Sequence, residues 1–360
     1  MNKRFVLSVL ALLLCACLLA GCGSTAAPAA PAQEDPAPAA EAAPETEAAP
    51  ETEAAPETEA APEIDASLPV RVYTLNGTTG FGMAGLIAEA AEGKAALNYS
   101  FSVESDPSVV TAALVSGDCD LAALPTNAAS ALYNKTGGKV QVLALNTRGV
   151  LYVLTDGSVQ VESLEDLAGQ TVYAPAQNPS FILEALCRAR GVELTIDNSY
   201  AQPAELNAAV AAGEVGLAVL PEPMVTVACA QNKALTAALD LSAEWDAVME
   251  PGSLVQGCVA VRREFAEAHG AELACFLEEY GRSVALLEED AQAAAQKIEQ
   301  AGIFANAAVA AKAIPRCNIC FVTGEDMQRQ LSVFLQTMFE TAPQSIGGGV
   351  PGDDFYYIAP

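Results

Sequence analysis

The chain has 360 residues, 52% of them hydrophobic, and carries a formal net charge of −28 from 45 acids and 17 bases. A surface this acidic repels nucleic-acid phosphates, and no basic patch offsets it, which excludes DNA and RNA as partners. Ten cysteines, three of them in the first 22 residues, leave seven in the remainder, an odd number that cannot all pair.

The N-terminus opens with Lys3 and Arg4, followed by an apolar run from Phe5 to Ala20. The run is short and begins at the terminus, so residues 1–21 read as a signal peptide rather than a membrane span. It ends in Leu19-Ala20-Gly21-Cys22, which resembles a bacterial lipobox. The resemblance implies cleavage before Cys22 and acylation of that residue, with the acyl chains inserted in a membrane. From Cys22 to Ala66 the chain is mostly Ala, Pro, Glu and Thr, with EAAPET three times from Glu41 and a partial fourth copy ending at Glu63. It has almost nothing to bury and its carboxylates repel one another. It is expected to be a disordered linker reaching at most roughly 140 Å.

Ser67 to Pro360 is too long for one small core and fits two lobes. "VRVYTL" (Val70–Leu75) reads as a strand and "FGMAGLIAEAAEG" as a helix. "NYSFSVES" alternates as a strand, "PSVVTAALVSGD" is a helix ended by Gly117, and "LAALP" is a buried strand stopping at Pro125. "TNAASALYNKTGG" is a helix with Thr126 or Asn127 as N-cap. The strand "VQVLAL" follows, and "GVLYVLT" runs on from it. "SLEDLAG" is a short helix with a capping box, Ser163 and Asp166. "TVYA" is a strand, and Asn178 and Pro179 open the helix "PSFILEALCRAR". The strand "LTIDNSY", the helix "PAELNAAVAAGE" and the buried strand "VGLAVLP" come next. "GDCDLAALPTNAASAL" rhymes with "GEVGLAVLPEPMVTVA", which suggests two similarly built lobes. "SLVQGCVAVRREF" is a further strand, and Phe276, Tyr280, Val284 and Leu287 mark the apolar stripe of a long helix. Alternating strands and helices imply an α/β fold, with a mostly parallel sheet flanked by helices in each lobe.

Most of the seven later cysteines lie in apolar stretches, where a free Cys acts as a small core residue. Only Cys317-Asn318-Ile319-Cys320 has a chemical spacing. A single C-x-x-C without a second pair or a nearby His is a weak metal signal, and packing, a local disulfide or a redox pair all remain open. No metal or cofactor is expected.

"GFGMAG" (Gly80–Gly85) has the G-x-G-x-x-G spacing of a dinucleotide fingerprint, with Glu104 some twenty positions on. Asn76-Gly77-Thr78-Thr79 intervenes between strand and glycines, and the export signal argues against a cytosolic cofactor. The reading preferred is a polar-ligand cradle at a helix N-terminus, made by Thr78, Thr79, Gly80, Phe81 and Gly82, with a plain turn as the alternative. Open α/β sheets bind ligands at strand carboxyl ends, which adds Thr126, Asn127 and Thr147 from one lobe. Gln177, Asn178, Ser180 and Glu222 come from the other. Capping is the competing role for Thr126, Asn127 and Ser180. Arg148 interrupts an apolar run, and a surface salt bridge is expected of it rather than a bond to an anionic ligand. Trp245 reads as packing. The one histidine, His269, stands without catalytic partners, and H-E-x-x-H, G-x-S-x-G and P-loop motifs are absent, so no catalytic residue is assigned.

Lipobox, tether, "NGTTGFGMAGL", "LPTNAASALYNKTGGKVQVLALNTRGVLYVL", "LPEPMVTVA", "LDLSAEWD" and "GGGVPGDDFYY" together resemble bacterial substrate-binding lipoproteins of ABC transporters, of the nitrate/sulfonate/taurine and thiamine-precursor type. The resemblance implies the periplasmic-binding-protein type II fold, with two lobes joined by two hinge crossings near Leu151–Thr155 and Leu254–Val261. Lobe 1 is then residues 67–154 plus 256–360, and lobe 2 is residues 155–255. It implies a monomeric, lipid-anchored, extracytoplasmic receptor that is not an enzyme. Such a receptor captures a small polar or anionic solute and delivers it to ABC permease subunits. An extracytoplasmic enzyme and a ligand sensor on the same scaffold are the alternatives.

Overall fold

The computed structural model describes residues 63–359. The signal sequence, Cys22 and nearly all of the tether lie outside the described residues.

The strands are β1 (Pro69–Leu75), β2 (Asn98–Glu104), β3 (Leu121–Pro125), β4 (Val140–Arg148), β5 (Leu151–Thr155), β6 (Thr171–Tyr173), β7 (Thr195–Asp197), β8 (Leu217–Pro221), β9 (Thr236–Asp240), β10 (Val255–Arg262) and β11 (Ile319–Val322). The α-helices up to the return crossing are α1 (Thr78–Phe81), α2 (Ala84–Ala91), α3 (Pro107–Ser116), α4 (Thr126–Thr136), α5 (Asn178–Arg190), α6 (Pro203–Ala212), α7 (Met224–Gln231) and α8 (Leu241–Asp246). After it come α9 (Arg263–Ala268), α10 (Gly270–Glu289), α11 (Ala291–Gln300), α12 (Ala307–Ala313) and α13 (Gly324–Thr341).

Local chemistry sets many of these boundaries. The Asp106 carboxylate accepts from the Ser108 amide at 2.8 Å, Pro107 takes the first helical position, and Gly117 at φ 84° ends α3 in the left-handed region. The Ser163/Asp166 capping box forms as expected, on a single 3-10 turn over Leu164–Leu167. Two expectations are corrected. Thr126 and Asn127 are the first residues of α4 rather than its cap, which is Pro125. The glycine stretch is broken into α1 and α2, with Gly82 and Met83 between them.

Two sheets result, in strand order β11-β4-β10-β3-β1-β2 and β7-β6-β8-β5-β9. In the first, β1 pairs parallel to β2 and β3, while β10 runs antiparallel to both β3 and β4. In the second, β6 is parallel to β7 and β8, and β5 is antiparallel to β8 and β9. Most strands of each sheet therefore point one way; β10 and β5 are reversed strands inserted where the chain crosses over, and β11 is also reversed, antiparallel to β4 at the edge of the first sheet. β3–α4 and β8–α7, the two rhyming segments, occupy like places in the two sheets. β5, expected in the first lobe, lies in the second sheet, so the chain changes sheet at Gly149–Val150 rather than after Leu154. The return falls just before β10.

The sheets share a core. One apolar cluster runs through Leu145, Leu151, Leu254, Trp245 and Phe334, and the Trp245 and Phe334 rings lie 6.0 Å apart. Within it α13 bridges α4 and α5. On the other face of the first sheet Met83, Phe276, Tyr280 and Val284 pack together, which places the apolar stripe of α10 against the glycine stretch.

Candidate functional site

The carboxyl ends of β3 and β8 carry the groups that meet between the sheets. Asn127, after β3, accepts at Oδ1 from Asn178 Nδ2, at the start of α5, at 3.0 Å. Glu222, after β8, is met by Arg316 from the segment linking α12 to β11, with Nη2 to Oε1 at 2.5 Å. Both bonds join residues of the first-sheet body to residues of the second. The Glu222 side chain is 0% exposed. Its carboxylate also accepts from the Thr226 amide and hydroxyl, each at 3.1 Å. Burial raises the Glu222 pKa, and Arg316 and Thr226 pull against it without cancelling it. The Arg316 guanidinium lies 5.6 Å from the centre of the Tyr152 ring and donates to Thr226 Oγ1 at 2.9 Å. The Tyr152 hydroxyl donates to the Arg316 carbonyl at 3.1 Å. This cluster contains one buried carboxylate and one guanidinium with 39% of its side chain exposed.

The other expected residues divide into two groups. Thr78 and Thr79 are half-buried at the end of β1, and the Thr79 carbonyl accepts from Asn146 Nδ2 at 3.2 Å. Gln177 is exposed, with φ 74°, at the N-cap of α5. The buried Asn178 Oδ1 has no partner among the described residues. These groups remain open to a ligand.

The remaining groups are engaged within the protein. Thr126 Oγ1 donates to the Val255 carbonyl at 2.7 Å, tying the return crossing to α4. Thr147 Oγ1 donates to Asn146 Oδ1, and Ser180 Oγ donates to the Pro175 carbonyl while accepting from Asn198 Nδ2. Phe81 is fully buried against Phe304, with ring centroids 6.2 Å apart. A Cβ on Gly80 would overlap the Leu75 carbonyl, and one on Gly82 would lie 2.9 Å from both Tyr280 Oη and Val284 Cγ2. The glycines are thus spacers that seat the chain on β1 and α10. Gly80, Phe81 and Gly82, expected as part of a polar-ligand cradle, thus pack closely against the protein, and α1 has only four residues.

Arg148 departs from expectation as well. Each of the other eight arginines among the described residues has a carboxylate within 4 Å, and Arg148 has none. Its Nε is buried without a partner, between two cavities of about 390 and 380 Å³ that it shares with Asn318. The seven cysteines are free, Cys317 and Cys320 included. Among the described residues no cluster of His, Cys, Asp and Glu is placed to hold a metal. Sequence reasoning missed Arg316. The available signal was an arginine wedged into "AIPRCNIC", the same interruption of an apolar run that singled out Arg148.

No protein-family model matches the chain, and no curated protein matches it. Solved structures are similar to it. An ABC transporter from Parabacteroides distasonis superposes with a TM-score of 0.69 at 20% identity, covering 81% of this chain and 99% of that one. The periplasmic aliphatic sulphonate binding protein SsuA of Escherichia coli gives 0.64 at 16% identity, over 81% and 92% of the two chains. The alkanesulfonate-binding protein SsuA of Xanthomonas axonopodis pv. citri, bound to MOPS, gives 0.57 at 14%, over 81% and 96%. At these identities the likeness is one of fold, and the chain has the two-lobed α/β architecture of periplasmic binding proteins.

Proposed function

We propose that the chain is the solute-binding component of an ABC importer, and that it takes a small anion of the sulfonate type between its two sheets. The observations that carry the reading are two bonds at the strand ends, Asn178 to Asn127 and Arg316 to Glu222, each joining a residue of the first-sheet body to one of the second. Hinge closure about two crossings needs only small backbone changes, and it encloses a solute from both sides. Two of the similar proteins bind aliphatic sulphonate or alkanesulfonate, which supports the choice of ligand. In this reading Thr78, Thr79, Asn127, Gln177, Asn178 and Arg316 face the solute, while Thr126, Thr147 and Ser180 hold the walls. Lobe 1 is residues 67–148 plus the chain from Val255 onward, and lobe 2 is the chain between the crossings. Cys22 carries the lipid, residues 23–66 tether the body outside the membrane, and permease subunits receive the solute from the monomer. The solute leaves unaltered.

Thermal-shift titration with ethanesulfonate, taurine and nitrate tests this. A ligand that binds only the folded state raises stability by about 2.7 kcal/mol when its free concentration is about 100 times its Kd. The expected result is a concentration-dependent rise in Tm with at least one sulfonate, and recovery of that compound intact. No rise with any of the three, or conversion of the bound compound, overturns the proposal.

A further inference from the structure

Arg316 is already paired. An acid group entering the cleft meets a guanidinium whose partner, Glu222, has no solvent to retreat into, with its side chain 0% exposed. We propose that the solute's acid group takes Arg316 from Glu222, and that Glu222 accepts a proton as it does so, so that solute capture and proton uptake are one event. This rests on the reading of the cleft as an anion site and names how that site is regulated.

The surroundings leave Glu222 no substitute counter-ion. From the segment before β11 it faces Arg316 and the buried Cys317. From β5 it faces Tyr152, behind which stands Asp240 at the end of β9. From α7 it faces Thr226, which is neutral, and Cys229. Burial holds the Tyr152, Cys229 and Cys317 side chains in their uncharged forms, so they supply no positive charge. Lys233, just past α7, is exposed and bonds the Cys229 carbonyl. A buried carboxylate that loses its only cationic partner neutralises itself by taking a proton rather than remaining charged. Once protonated, Glu222 still accepts from the Thr226 amide and hydroxyl. On the solute's side, Arg316 presents a planar fork suited to two oxygens of one acid group.

The step balances: one anion arrives, one proton arrives with it, and the charge of the cleft is unchanged. The probe is ethanesulfonate, whose acid group stays ionised from pH 5 to 9, so any proton taken up belongs to the protein. Calorimetric titration of the wild-type protein near pH 7, in two buffers of different ionisation heat, is expected to show uptake approaching one proton per ethanesulfonate. By linkage, affinity is expected to weaken toward tenfold per pH unit across the window in which Glu222 changes state. In Glu222→Gln the uptake and the pH dependence vanish while binding persists. Arg316→Gln is expected to lose at least tenfold in affinity at every pH. Wild-type binding with equal heats in both buffers and a flat pH profile overturns the inference and leaves the sulfonate reading standing. Uptake retained in a folded Glu222→Gln also overturns it. Absence of binding at all pH values overturns the sulfonate reading and the inference together.

Discussion

Gly85→Ala tests whether the glycine stretch serves packing or binding. Gly85 stands near the start of α2, where a Cβ would lie 2.6 Å from Ser283 Oγ and 3.1 Å from the Ser283 Cα. Ser283 Oγ donates to the Gly82 carbonyl at 2.6 Å and accepts from the Leu86 amide at 2.9 Å, so one hydroxyl pins α1 and α2 to α10. Inserting a methyl group into so tight a contact costs about 1–3 kcal/mol. Displacing Ser283 forfeits two buried hydrogen bonds, about 1 kcal/mol each. Ala gains back about 1 kcal/mol in helix propensity. The balance is a loss of about 2–4 kcal/mol, which lowers Tm by roughly 3–6 °C in a body of this size. The assay is thermal unfolding, run beside ethanesulfonate titration. Ser283→Ala alone leaves the Gly82 carbonyl and the Leu86 amide unpaired, and costs about 1–3 kcal/mol. It also opens the space that Gly85→Ala needs, so the double variant should be less destabilised than the sum of the two. An unchanged Tm in Gly85→Ala, with a tenfold loss of affinity, would refute the packing account and restore the stretch as a ligand cradle.

Two further substitutions test the frame around the site. Asp120 is buried, and its carboxylate is bonded by Arg71 at 2.7 and 2.9 Å and by Arg262 at 2.8 Å. Burial raises its pKa, but the two guanidiniums outweigh that and hold it below the ordinary carboxylate value. The stability it contributes is therefore present above the unfolded pKa and is lost as pH falls through the folded one. Asp120→Asn should cost about 3 kcal/mol at pH 7 and flatten the acid limb of the stability–pH curve below about pH 4. A variant as acid-labile as wild type would contradict this. Trp245, the sole tryptophan, donates from Nε1 to Ser253 Oγ at 2.8 Å beside the return crossing. Ser253→Ala leaves that buried N–H unpaired and should lower stability by about 1–3 kcal/mol in a fluorescence-monitored urea titration. Unaltered stability would mean that water already serves the indole.

Elements whose pattern is local were legible in the sequence. Val70–Leu75, the helix closed by Gly117, the Ser163/Asp166 box and the stripe of α10 each follow from residues within a turn or two of one another. The repeated strand-Pro-helix unit gave two like sheets because β3 and β8 are both buried runs ended by proline. β5, expected at a crossing, pairs wholly within the second sheet, and "VLYVLT" is so apolar throughout that nothing in it says which sheet its edges will find. The glycine stretch was only half legible for a related reason. G-x-G-x-x-G spacing records that backbone is approached closely, but only the distant α10 reveals that Tyr280, Ser283 and Val284 make that approach at Gly82 and Gly85. Arg316 lies 94 positions from Glu222, and long-range charge pairs leave no trace in spacing. Thr126, Thr147 and Ser180 were placed near the cleft by strand ends, and their bonds to Val255, Asn146 and Pro175 could be read only from the fold.

Closure of the two sheet bodies on an unaltered small anion held by Arg316 is visible in a crystal structure of the protein grown with ethanesulfonate. The sulfonate is expected between the sheets, within hydrogen-bonding distance of Arg316 and the Asn127–Asn178 pair, with the Arg316–Glu222 bond opened. Ethanesulfonate seated beside Arg148, or elsewhere outside the gap with Arg316 still on Glu222, would contradict it.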